Sequence, residues 1–162
     1  MPYIKLIKLL YLADRRMIQK RGRAITGDSY YSVKCGPILS ETLEAIKLTT
    51  PDWSDLLGAD LEARIVWLKS KQLPARLSNA DIEVLEWVSA NFGHWSWPKL
   101  VRFTHRLKEW TKPADDTKRT PITLADIGRG LGLTPERIEQ IAASRDEADE
   151  VQPLIDSLRA SA

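Results

Sequence analysis

The chain has 162 residues, 43% of them hydrophobic and 28% charged, with a formal net charge of +2. That length suits a single domain that buries roughly two-thirds of its unfolded surface, and the composition excludes a disordered chain. So small a net charge makes no case by itself for nucleic acid. The lone cysteine, Cys35, excludes an intrachain disulfide and suits a reducing compartment.

Residues 3–20 read as a helix whose apolar side chains cover most of its circumference, leaving Lys5, Lys8, Arg15 and Gln19 on a narrow wet ridge. Such a helix needs neighbours on several sides. Lys5 and Lys8 break its apolar run, no secretory cleavage pattern follows, and nothing approaches the roughly 20 apolar residues of a membrane span. A cytoplasmic protein with no membrane partner is therefore expected. Gly22 ends the helix, and Ile25-Thr26-Gly27-Asp28 turns the chain into a strand, Tyr30–Lys34.

Gly36-Pro37 then reads as the start of a second helix reaching Leu48, because proline is tolerated in a first helical turn. Residues 49–63 read as a loop, and Ala63–Lys69 as a strand pairing with Tyr30–Lys34. Ser78, with Asp81 three residues on, caps a helix that Gly93 stops. Ser96-Trp97-Pro98 opens another, running to about Leu107. After a polar loop, Lys112–Arg119, come short helices over Leu124–Leu131, Pro135–Ala142 and Leu154–Leu158. The fold expected is mainly α with one small two-stranded β-sheet, a compact helical single domain.

Chemistry-bearing groups are sparse. His94, His105 and Cys35 share no metal-ligand spacing, so no metal or other cofactor is expected. Cys35, beside Lys34, is the one candidate nucleophile, with His105 the base that folding could bring to it. Asp14 and Asp28 could pair as acids, although pairing with neighbouring charge and turn formation account for them more simply. Gly128, Gly130 and Gly132 imitate a phosphate loop but lack its strand and its Lys-Ser/Thr ending.

Leu124–Ile141 has the spacing of a helix-turn-helix. Its second helix carries Glu136 and Glu139 against Arg137, however, and acids there oppose phosphate. DNA is thus the weaker partner, and a transcriptional regulator the alternative reading.

Charge is uneven: residues 1–34 hold eight Lys/Arg against Asp14 and Asp28, while residues 136–162 hold seven acids against Arg137, Arg145 and Arg159. The two ends could complement each other, or the basic end could meet an acidic partner. Six tryptophans exceed the needs of one core, and Trp53 and the His94–Trp97 cluster suit a binding face.

The block Tyr3–Asp14 (YIKLIKLLYLAD), then Ile25-Thr26-Gly27-Asp28 with Tyr30 and Tyr31, then Gly36-Pro37-Ile38, resembles the Panacea domain of SocA-like, phage-associated antitoxins. Leu77-Ser78, Glu83, Leu85, Thr104-His105 and Trp110 resemble its second half, so the resemblance spans roughly residues 3–112. It implies a mostly helical bacterial antitoxin, not an enzyme, that neutralises a toxin encoded nearby through direct contact. One member of the family also delivers its toxin to a protease. On this reading residues 1–112 form the antitoxin core, and 113–162 add C-terminal helices to the same domain. The family usually has a further helix before this block; without it, apolar surface on the first helix would be left for a partner or for self-association. The expected partner contacts are Lys8, Arg15 and Arg16 by charge, Tyr31 and Trp53 as aromatic anchors, and His105 with Trp110 as a supporting pair.

Overall fold

The computed structural model describes residues 1–48, 55–70, 77–115, 118–145 and 157. Trp53 and the expected helix at Leu154–Leu158, of which only Ser157 is described, therefore lie outside the account of the fold.

Helix α1 (Tyr3–Arg21) is the axis of the molecule. Ile7, Tyr11 and Ile18 enter one apolar cluster, while Leu12, Ala13 and Met17 enter another. A helix apolar on nearly every side can satisfy itself only between two cores. The large hydrophobic side chains of α1 are buried or half-buried, with Tyr3, Ile4, Leu6, Leu9 and Leu10 among the half-buried. The wet ridge is also narrower than expected, because Lys8 is fully buried. Gly22 closes the helix at φ 75°, its N–H donating to the Ile18 carbonyl.

Strand β1 (Tyr30–Val33) is the middle of a three-stranded antiparallel sheet, with β2 (Gly36–Leu39) on one side and β5 (Thr120–Ile122) on the other. Gly36-Pro37 thus begins a strand and not a helix. Gly36 sits at φ 93°, and its missing side chain lets the strand lie directly on Lys8 and Thr104. Pro37 is tolerated because β2 is an edge strand. The helix, α2 (Ser40–Leu48), starts three residues later. Asp28 caps it from the preceding turn, accepting from the Glu41 and Thr42 amides at 2.9 and 2.8 Å.

A second sheet pairs β3 (Leu57–Asp60) with β4 (Ile65–Leu68). β4 was expected to pair with β1, and β3 was expected to be loop. Gly58 and Asp60 disguise β3, yet the glycine is needed, since a Cβ there would fall 2.4 Å from the Trp67 indole. Met1 exchanges two 2.8 Å hydrogen bonds with Val66, fastening the start of the chain to this hairpin.

Helix α3 (Asn79–Phe92) has the expected capping box, Ser78 with Asp81, and turns Val84 and Val88 into the second cluster. α4 (Trp97–Thr104) follows and stops earlier than expected. α5 (Leu124–Leu131) has its own box, Thr123 with Asp126, and ends at Gly132. Residues 135–145 form the last described helix, α6. Its Ile138 lies so near Gly128 that a Cβ on that glycine would stand 2.7 Å away, so the small residue sets the α5–α6 crossing.

Asp14 ties these parts together. It is fully buried on α1 and accepts from the Ile25 amide at 2.8 Å, the Thr26 amide at 3.0 Å, the Thr26 hydroxyl and the Tyr30 hydroxyl at 2.9 Å. Neither paired acid chemistry nor a contact with Arg15 or Arg16 involves it; the residue pins the ITGD turn against α1. Asp14→Ala should lower unfolding free energy by roughly 3–5 kcal/mol, because four donors lose one buried acceptor. Asp14→Asn, which keeps an acceptor, should cost less than half of that. Urea unfolding checks both values.

Candidate partner-binding surface

Three of the expected contact residues stand half-buried around the three-stranded sheet: Tyr31 on β1, and His105 and Trp110 near its Val33 end. Burial alternates along β1, so Tyr30 and Ser32 point inward while Tyr31 and Val33 are half-exposed. Trp110 donates its indole N–H to the Val33 carbonyl at 3.2 Å, which fastens its ring at the end of the strand. His105 stacks on that ring, with centroids 4.1 Å apart and planes 10° from parallel. At the other end the Arg119 guanidinium lies 5.1 Å over the Tyr31 ring. Tyr31, Val33, Trp110 and His105 are thus a half-buried, largely aromatic strip around β1, with Tyr31 and Val33 also packed on the core, His105 against Gly36, and Arg119 beside Tyr31. Two hydrogen-bonded elements hold the strip, so little side-chain freedom is left to lose on binding.

The charged residues expected beside them are committed elsewhere. Arg15 donates to Glu109 at 2.6 Å and reaches the Gly130 carbonyl at 3.4 Å. Tyr11 donates to the same carboxylate at 3.1 Å. Glu109 is buried, and a Cβ on Gly130 would meet it at 2.2 Å. In the GRGLG run, then, one glycine makes room for a carboxylate of this same chain. Arg16 lays its guanidinium over Trp87, 3.3 Å from the ring centroid. Arg15 and Arg16 bind the fold together from partly buried positions.

Lys8 is the most unusual of the three. Its ammonium donates to the Pro37 carbonyl beneath the β1–β2 hairpin, and among the described residues no carboxylate forms an ion pair with it. Burial lowers its pKa to about 7, only partly opposed by the nearby Cys35 thiol. His105, close to it, is also held below its usual value, first by burial and then by the Lys8 charge, against a hydrogen bond to the Lys34 backbone.

Cys35 occupies the hairpin turn and is exposed. The cavities along Asp28–Tyr31, along Arg21–Gly27 and beside α2 are lined by neither Cys35 nor His105. Among the described residues no group of three His, Cys, Asp or Glu could hold a metal ion, and no helix is long and apolar enough to cross a membrane. In the His94–Trp97 cluster, Trp95 packs edge-on against Phe92 and Phe103, while Trp97 is exposed.

Two residues that sequence reasoning passed over matter here. Glu109 stands between Lys108 and Trp110, where a carboxylate looks like surface charge. Arg119 closes a polar loop, and only its place just before β5 brings it to Tyr31. No spacing in the sequence signals either one.

The architecture is that of a mainly helical protein offering a preformed surface on a small sheet. The sequence matches the family described as "Antitoxin SocA-like, Panacea domain" over residues 6–111, and the chain belongs to that family. Neither the curated proteins nor the solved structures yield a match.

The buried lysine makes a pH prediction. Its folded pKa near 7 lies below the 10.5 of the open chain, so between those values the unfolded state binds more protons and stability rises with pH. The penalty is complete below about pH 7. Lys8→Met removes it, so the stability of the natural chain relative to this variant should improve by on the order of a few kcal/mol from pH 7 to 10. Urea midpoints of both proteins across that range provide the check; parallel curves would contradict the assignment.

Proposed function

We propose that this protein is an antitoxin that neutralises a protein toxin encoded beside it by covering the toxin's functional surface. Membership of the SocA-like antitoxin family carries this reading. The residues around β1 support it: Tyr31, Val33, His105 and Trp110 combine aromatic area with partial exposure, as energetically dominant interface residues do. Arg119 stands at the edge, already paired with Glu44 at 3.4 Å, so its charge would add little beyond positioning the Tyr31 ring.

A DNA-binding role finds less support. The α5–α6 pair is used for packing: Gly130 receives Glu109, and Gly22 at the end of α1 lies against Arg137 and Ile141. Glu136 and Glu139 are exposed on α6, where they would oppose a phosphate backbone.

The neighbouring gene should be toxic alone and harmless when co-expressed with this chain, and the two products should co-purify. Tyr31→Ala should weaken the complex by at least about tenfold with little change in the antitoxin's own stability. Calorimetry on the purified pair measures this. A harmless neighbour, or a complex indifferent to Tyr31→Ala and Trp110→Ala alike, would refute the proposal.

A further inference from the structure

A cavity of about 620 Å³ lies away from the sheet face, between the end of α1, the Ala24–Gly27 turn and α6. Among the described residues, four arginines line it, Arg21, Arg23, Arg137 and Arg145, and no Asp or Glu does. Among the described residues, no carboxylate forms an ion pair with Arg21 or Arg137. Arg137 donates to the neutral Gln140 side chain at 3.2 Å. Arg23 is fixed at the rim by Asp81 at 2.6 Å and by the Ala24 carbonyl at 3.1 Å.

The walls are firm. Asp14 clamps the Ile25 and Thr26 amides, and the Gly22 cap brings α1 against α6. The cavity is also amphipathic, since Ile25, Leu124 and Ile141 line it beside the guanidinium groups. Helix α6 explains the charge: Arg137, Gln140, Ser144 and Arg145 turn toward the cavity, whereas Glu136 and Glu139 do not line it.

We propose that this cavity binds an acidic segment of a partner protein, receiving its Asp or Glu side chains on Arg21 and Arg137. Guanidinium groups pair with carboxylates through two parallel hydrogen bonds, and the apolar wall accepts the methylenes of an extended side chain. The volume suits a few side chains and not a nucleic-acid duplex. Nucleic acid is further disfavoured by the acids of α6, which a phosphate strand would have to pass. The inference shares with the antitoxin reading only the premise that the ligand is a protein.

The test uses the full chain and an eight-residue fluorescein-labelled peptide rich in Asp and Glu, followed by fluorescence anisotropy. The peptide should bind, its Asn/Gln counterpart should not, and affinity should fall as salt rises. Arg21→Gln and Arg137→Gln should each weaken binding by about fivefold or more, while Arg129→Gln, outside the cavity, should not. Arg21 is exposed, so its variant carries the test should Arg137→Gln disturb the α1–α6 contact. Equal binding of the amide peptide, no loss in the Arg21 variant, tighter binding of a short single-stranded oligonucleotide, or displacement by millimolar inorganic phosphate would each overturn the proposal. Because no toxin is present, failure here leaves the antitoxin reading standing, and failure of toxin binding leaves this result standing.

Discussion

Every polar side chain on the inner faces of α1 needs a partner within the fold, and that requirement organises the rest of the molecule. The helix lies between two apolar clusters, so water reaches little of it. A buried charge without partners costs several kcal/mol, and the chain meets this demand in three ways. Asp14 draws in the ITGD turn, Arg15 and Tyr11 share Glu109, and Lys8 takes a carbonyl of β2. Each solution brings a distant segment to α1. The turn leads directly into β1; Glu109 precedes Trp110; Pro37 lies in β2. The sheet face is thus positioned from behind by the polar groups of one helix.

This arrangement explains why the basic residues near the N-terminus are engaged within the fold and do not form the wet ridge their spacing suggested. Helical periodicity places Lys8 and Arg15 on a common ridge, and a ridge of cations on an apolar helix is normally wet. Here β2 and Glu109 cover the ridge, and neither can be inferred from α1 alone. The same limit explains the strands. Local patterns correctly mark α1, the Tyr30 strand, the capped α3 and the α5–α6 pair. Gly36-Pro37 fits either a helix start or an edge strand, and only the pairing with Val33 and Ser32 decides between them. β3 and β5 are too short, and too rich in Gly, Asp, Thr and Pro, to stand out.

Of the residues expected at a partner surface, Tyr31, His105 and Trp110 are half-buried around β1, whereas Lys8 is buried and Arg15 and Arg16 pair within the fold. Tyr31, His105 and Trp110 could be singled out because they belong to the motifs that carry the family resemblance, and the structure sets them near β1. Their supports, Arg119 and the Val33 carbonyl, depend on tertiary contact. Glycine gives a comparable lesson. Gly128 could be read as a helix-crossing residue from the helix-turn-helix spacing, whereas the need for Gly130 follows only from a carboxylate 21 residues away. The family match shows an antitoxin-like domain, and the physical reading gives it a helical scaffold around a small sheet.

Rigidity before binding is the element on which that account turns, and hydrogen exchange on the free chain and on its complex with the neighbouring gene product tests it most directly. The account requires α1 amides to exchange as slowly as global unfolding allows in both states, with new protection on binding confined to residues 30–39 and 105–111. Fast exchange throughout α1 in the free chain, becoming slow only in the complex, would show a protein that folds on its partner and would contradict it.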